Sequence, residues 1–249
     1  MLKIVKSAGR IFDVLEHFEE LQRPLTLKAI CARFRWPPSS ASGILKSLVL
    51  RGYLDYDRFT RTYMPTMRLA QLGGWVQDVL FGDGAVLRFM QELQAATGET
   101  VSLGVQSDAY AQHIHVLHSP QPPAASLRPG SLRSLARSGL GILLLSVRDD
   151  ATIDLLVRRA NAQETDRRAR VGLPGVLERV NEVRARGYVY ARHTIVPGAA
   201  LIGKLLPGVH HGRIMAVNVI GPSDRLERQG ERILRRLHQG IMTLTAAPH

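Results

Sequence analysis

Three histidines, His113, His115 and His118, come nearest in this 249-residue chain to a spacing that could do metal chemistry. On a strand, positions two apart share a face, so His113 and His115 can both point toward one ion. No third or fourth ligand stands nearby, and a half-exposed strand with polar alternation is the better account. Cys31 is the single cysteine, which excludes an internal disulfide and argues against a cysteine-based zinc site. It sits on an apolar helical face, where a buried inert thiol is expected. His210-His211 lies between Pro207-Gly208 and Gly212, a loop composition. Asp149-Asp150 suits a helix N-terminus better than a catalytic carboxylate pair. The G-x-G-x-x-G, P-loop, G-x-S-x-G and H-E-x-x-H patterns do not occur. Nothing supports an enzyme, and neither a cofactor nor a metal is expected.

What remains with chemical potential is cationic and hydroxylic. The formal charge is +12 and the isoelectric point lies near 10.6. Such a balance favours polyanionic partners, nucleic acid first, with general surface basicity as the plainer reading. The excess does not mark a face: residues 1–78 carry +5 and residues 79–249 carry +7. An apolar fraction of 45% with 22% charged residues describes a folded chain. The longest apolar run, Leu140–Val147, is too short to span a bilayer, so no membrane association is expected. The start MLKIVKSAGR lacks the apolar stretch of a signal peptide, and a cytoplasmic location is expected.

The elements that must position those residues follow from periodicity. Ser7 is placed to cap a first helix bearing Ile11, Val14, Leu15 and Phe18, which should stop near Leu21-Gln22. Thr26 is a second cap, followed by Leu27, Ile30, Cys31 and Phe34. Pro38 occupies the first turn of a third helix that runs to about Arg51, with Gly52 placed for a left-handed cap. Tyr53–Tyr56 and Thr62–Met64 read as strands around a polar turn. Three helices and a hairpin within residues 1–65 make a winged helix-turn-helix. Residues 66–82 read as a linker helix, and residues 83–249 as an α+β domain with a largely antiparallel sheet. In it, helices are expected at Val86–Thr97, Gly139–Val147, Ala151–Arg159, Pro174–Arg186 and Glu227–Thr245. Strands are expected at Val101–Gln106, Ala111–His118, from Gly187, and at Arg213–Ile220.

On the third helix, Ala41, Ile44, Leu45 and Leu48 recur at core spacing. Ser39, Ser40, Ser42, Gly43, Lys46 and Ser47 fall mostly outside that face. Hydroxyls and backbone amides at the start of a groove-bound helix meet base edges and phosphates. Serines read bases promiscuously, so their specificity should be modest. Lys46 and Arg51 would serve phosphates, Arg58 and Arg61 the backbone or a minor groove, and Lys6 and Arg10 the flank. A winged-helix scaffold used for protein contacts is the alternative.

The segments AGRIFDVLEHF, PLTLKAICARF, PPSSASGILKSLVLRGYL and YDRFTRTYMPTMRLAQLG resemble the IclR family of bacterial transcription regulators. LQAATGETVSLGV, SPQPPAASLRPGSLRSL, RARGYVYARHTIVPG and AVNVIGPSDRL extend the resemblance over almost the whole chain. It implies an N-terminal winged helix, a linker helix and a C-terminal GAF-like effector-binding domain. It also implies a homodimer or homotetramer on palindromic, double-stranded operator DNA, nucleoid-associated when bound, with a small-molecule effector.

Departures from the family pattern are informative. Members commonly carry an arginine at the position of Gly43 and a lysine at that of Pro38. Along Gly130–Ile142, Ser134 replaces a proline, Ala136 a histidine, Ser138 a threonine and Ile142 a lysine. Leu201 stands where a cysteine is common, and Asn218 and Ile220 where two serines are. The implied effector site is Arg128, Ser134, Ser138, Gly139, Leu201, Asn218 and Ile220. Leucine and isoleucine offer a carboxylate no donor. The pocket should therefore be more apolar, with Ser138 and Asn218 as polar handles and Arg128 or Arg133 supplying charge. It either takes an aromatic or hydrophobic effector or has lost ligand binding. The overall alternative is a metabolite-binding or protein-interaction module of the same fold without specific DNA or effector binding.

Overall fold

The computed structural model describes residues 5–81, 84–122, 127–193, 196–208 and 212–246, with only the backbone described at 76–81 and 246. His210 and His211 lie outside the described residues. The chain divides into two compact units, Met1–Val79 and Leu80–His249.

In the first unit, α1 (Lys6–Leu21), α2 (Leu27–Phe34) and α3 (Pro38–Leu50) precede a hairpin of β2 (Leu54–Asp57) and β3 (Thr62–Pro65), and α4 (Met67–Phe81) follows. The core is Val14, Phe18, Leu25, Ile30, Ala41, Leu45, Leu48, Leu54 and Tyr63, the residues that recur at helical or strand spacing. Thr26 caps α2 as expected, its Oγ1 accepting the Ala29 N–H at 3.2 Å. Gly52, at φ 74°, turns the chain after α3, and Tyr53 N–H donates to Leu48 C=O at 2.8 Å. Ser7 is not a cap: α1 begins a residue earlier, with Gly9 N–H donating to Val5 C=O, and no side chain caps it. A two-residue strand, β1 (Leu25–Thr26), adds to β3 and was not foreseen; the order is β1-β3-β2.

The second unit is built on six antiparallel strands in the order β6-β5-β4-β9-β8-β7. These are β4 (Thr100–Ser107), β5 (Tyr110–Leu117), β6 (Leu132–Ser134), β7 (Val189–Arg192), β8 (Ala199–Leu205) and β9 (Met215–Pro222). One face packs Val101, Leu103, Val105, Ile202, Val217 and Val219 against α5 (Ala85–Thr97) and α9 (Ser223–Ala246). There Glu99, fully buried, pairs with Arg225: Nη2 donates to Oε2 at 2.8 Å and Nε lies 2.8 Å from Oε1. The other face, with Ala111, Ala191 and Ala216, lies under α6 (Gly139–Leu145), α7 (Asp150–Gln163) and α8 (Leu173–Arg186). All seven residues of α6 are buried. Among the described residues, no helix is long and apolar enough to cross a membrane.

Candidate functional site

The first constellation grows from the start of α3. Pro37 precedes it and gives no side-chain cap, whereas Thr26, Ser138 and Asp149 cap α2, α6 and α7. The first-turn amides of Ser39 and Ser40 are thus left for an external acceptor, at the positive end of a helix dipole with no acidic residue in its first turn. Ser39, Gly43 and Lys46 are exposed, and Ser40 and Ser42 are half-buried. Nothing lies within 4 Å of where a Gly43 Cβ would be, so the absent side chain leaves open space. Ser47 turns its hydroxyl back to Gly43 C=O at 2.8 Å. Arg51 is exposed at the other end of the helix.

Ahead of α3, Arg10 stacks its guanidinium 5.0 Å above the Trp36 ring, and Trp36 stacks on Phe34. That holds Arg10 beside the turn leading into α3, while Lys6 is exposed on the first turn of α1. The wing tip is a tight, self-bonded turn. The Asp57 carboxylate accepts from Phe59 N–H at 2.8 Å and from the Thr60 hydroxyl at 2.8 Å, and Thr60 Oγ1 lies 2.8 Å from Thr62 Oγ1. The Thr60 hydroxyl, then the Phe59 amide, holds the Asp57 carboxyl below its ordinary pKa. Arg58 and Arg61 are exposed there, Arg61 at φ 53°, and Phe59 between them is 99% exposed. Sequence reasoning did not single out Phe59.

The second constellation lies under α6. The register sets Leu201 opposite Ile220 and Gly203 opposite Asn218. Gly139 is pressed close: a Cβ there would stand 2.6 Å from Ala191 Cβ and 3.3 Å from Leu201 Cδ2. So Gly139, Leu201, Asn218 and Ile220 are brought together. Asn218 is fully buried; its Nδ2 donates to Ala216 C=O at 3.3 Å, and its Oδ1 has no hydrogen-bond partner. Ser138 is the N-cap of α6, accepting Gly141 N–H at 3.0 Å and donating to Ser134 C=O at 2.9 Å. Its hydroxyl proton is therefore committed within the chain. Ser134 is half-buried at the end of β6, and Arg128 is exposed.

Two neighbours were not anticipated. His113 is 3% exposed, and its Nδ1 lies 3.0 Å from Oγ of the fully buried Ser102. The strand is part-exposed and alternating as expected, with Ala111, His113 and Val116 buried and the other residues of β5 part-buried; the burial of His113 itself goes beyond that expectation. A bulge separates the histidines: Leu103 pairs with His115 and Gly104 with His113. Burial, helped by the nearby Arg133 cation, pulls the His113 pKa down to about 4; burial also lowers that of His115. Among the described residues, no three His, Cys, Asp or Glu side chains gather as metal ligands would. Cys31 is only partly buried. Asp149 accepts Thr152 N–H at 2.8 Å at the start of α7.

Comparison with known proteins matches each unit to a domain family. Residues 7–58 match the IclR helix-turn-helix domain, and residues 84–242 match the bacterial transcriptional regulator IclR C-terminal domain. A glycerol operon regulatory protein of Streptomyces coelicolor is 28% identical over 236 residues, spanning 93% of this chain and 90% of that protein. The effector domain of an IclR regulator from Acinetobacter is 29% identical with a TM-score of 0.64, covering 69% of this chain and 99% of that one. The Thermotoga maritima IclR shares the fold at 17% identity, with a TM-score of 0.71 over 96% of this chain and 98% of that one.

Proposed function

The chain belongs to the IclR family of bacterial transcriptional regulators, and on that premise we propose how it reads DNA and what governs the reading. It is a DNA-binding regulator with a C-terminal effector domain. Residues 1–65 dock on operator DNA, 66–82 link, and 83–249 sense a metabolite. Homodimers or homotetramers bind a palindromic site in the cytoplasm, and the protein performs no catalysis.

The observation that carries this reading is the uncapped, acid-free start of α3 beside exposed Ser39 and Lys46. Serine hydroxyls and the free amides meet base edges and phosphates, while Lys46, Arg51, Arg58, Arg61, Lys6 and Arg10 neutralise the backbone. Without charge at Pro38 and Gly43, affinity rests on that ring of cations. Fluorescence anisotropy against genomic upstream fragments tests it. A sequence preference with a steep salt slope is expected, and Lys46→Ala should lower the log–log slope by about 0.9. Equal affinity for random duplexes, or no effect of Lys46→Ala and Arg51→Ala, refutes it.

The effector reading rests on Asn218. Its open Oδ1 acceptor, beside apolar Leu201 and Ile220, suits a small aromatic or hydrophobic molecule carrying one hydrogen-bond donor. Because Asn218 is fully buried, such a ligand reaches it only if α6 or its flanks shift, and that shift is the signal to the DNA-binding unit. The similar glycerol operon regulatory protein supports control of a metabolic operon as the setting. A thermal-shift screen with aromatic acids and phenols checks it; stabilisation lost in Asn218→Leu supports the site. No stabilisation by any class indicates lost ligand binding.

A further inference from the structure

We infer that Phe59 is a wedge that enters the DNA minor groove at the wing tip and unstacks a base step there, an inference that rests on the DNA-binding reading above. Every other aromatic residue described in this unit up to Tyr63, apart from Phe12 on α1, has a covered or stacked ring: Phe18 is buried, Phe34 and Trp36 stack, Arg68 lies over Tyr53, and Tyr56 and Tyr63 pair at 4.7 Å. Phe59 alone stands 99% exposed at a hairpin end.

Its position is set by the turn and not by packing. Asp57 pairs with Thr62 as the last rung of the hairpin, and the Asp57 carboxylate ties down the amide of Phe59 itself. Thr60 bridges Asp57 and Thr62 through its hydroxyl, and Arg61 takes the left-handed conformation that closes the loop. A ring on a braced tip loses little conformational freedom when it is buried in a partner. Its sequence neighbours are polar, so the tip offers no apolar patch of the size a protein interface needs. What it offers is one apolar blade between two guanidinium groups, Arg58 and Arg61. Asp57 is the one acid on the loop, and its oxygens are turned onto the loop's own donors. Minor-groove proteins use that pairing of an apolar wedge with flanking cations, the wedge unstacking a step and the cations following the narrowed groove. Easily unstacked TA and CA/TG steps flanking the α3 contact are the expected sites.

The test uses the full chain and a duplex that the wild-type protein selects from a random library. Permanganate oxidation of thymines reports unstacking at every TA and CA/TG step, and end-to-end energy transfer reports bending. Wild type and Phe59→Leu, which keeps an apolar wedge, should create a hyper-reactive thymine in each flank and bend the duplex. Phe59→Ala should lose both and bind roughly 5- to 100-fold more weakly, with an unchanged salt slope because no charge is removed. Since Phe59 touches no core residue, circular dichroism of the variants should match wild type. Selective binding by wild type without hyper-reactive thymines overturns the wedge and leaves the DNA reading standing, as does a Phe59→Ala variant that unstacks normally. Failure to select any duplex overturns both.

Discussion

His113 is held uncharged inside the sheet, and replacing it with a residue that does not titrate should remove a defined share of the acid sensitivity of the second unit. In the unfolded chain the imidazole takes its ordinary value of 6.5; in the folded chain burial, then the Arg133 cation, brings it to about 4. A depressed value means that the neutral form is the one the fold accepts. Its contribution is fully present above 6.5 and is lost as pH falls toward 4. Each unit of difference corresponds to about 1.4 kcal/mol. Integrated over the two titrations, wild type loses about 2 kcal/mol from this one group between about pH 7 and pH 5, and about 3 kcal/mol by pH 4. His113→Gln, which can still bond Ser102 Oγ, should be less stable at pH 7 through poorer packing, yet flatter with pH by about 2 kcal/mol over that first interval. Arg133→Gln should narrow the wild-type loss, because it removes the cation that opposes protonation. Glu99, whose pKa burial raises, acts in the opposite direction in both proteins and cancels in the comparison. Both tryptophans, Trp36 and Trp75, lie in the first unit, so their fluorescence would follow the wrong transition. Urea unfolding read by pulsed hydrogen exchange of peptides from β4 and β5 follows the right one. Parallel loss of stability in wild type and His113→Gln would show that His113 titrates as a solvated histidine, and the argument would fall.

Three further outcomes are expected. Gly43→Arg, placed in open space on α3, should gain about 1 kcal/mol of helix stability and steepen the salt dependence of DNA binding by about 0.9 in log–log slope, read by urea unfolding and anisotropy. Arg225→Ala strands the buried Glu99 carboxylate and should cost about 3–5 kcal/mol in urea unfolding of the second unit. Gly141→Ala would bring a Cβ to 2.0 Å from Leu135 C=O, a backbone atom that cannot swing aside. It should lower the unfolding midpoint of the second unit by the equivalent of about 1–3 kcal/mol and shift α6.

Much of the architecture was legible because it rests on periodicity. Val14, Ile30, Leu45 and Leu48 recur where a helical face demands them, and each is buried. Thr26, Pro38 and Gly52 are local devices whose chemistry needs no tertiary context. The elements that escaped, β1, β6 and β8, are strands that make sense only through a distant partner. In β8, Gly203 interrupts the alternation because Asn218 Oδ1 fills the space its side chain would need, 2.3 Å from an added Cβ. The covering of His113 was hidden for the same reason, since it depends on β6 and α6. The family motif implies Ser138 as a polar handle for a ligand; what it does not disclose is that the Ser138 hydroxyl also caps α6. Phe59 carries no periodic or motif signal in the sequence, and its exposure is visible only in the folded hairpin.

The strand order of the larger sheet dictates when the protein can exist. The central pair joins β4 to β9, Leu103 to Val217 and Thr100 to Ile220, across more than a hundred residues of chain. A ribosome releases β4 and β5 long before β9 is made, so that hairpin waits with one long, apolar strand edge open. The winged unit, whose strand pairings all lie within residues 25–65, can settle meanwhile, and a chain interrupted before β9 carries a finished winged unit without a complete second one. Such a truncated chain therefore carries the winged unit tethered to an unfinished sheet, whose open apolar edge is a template for aggregation.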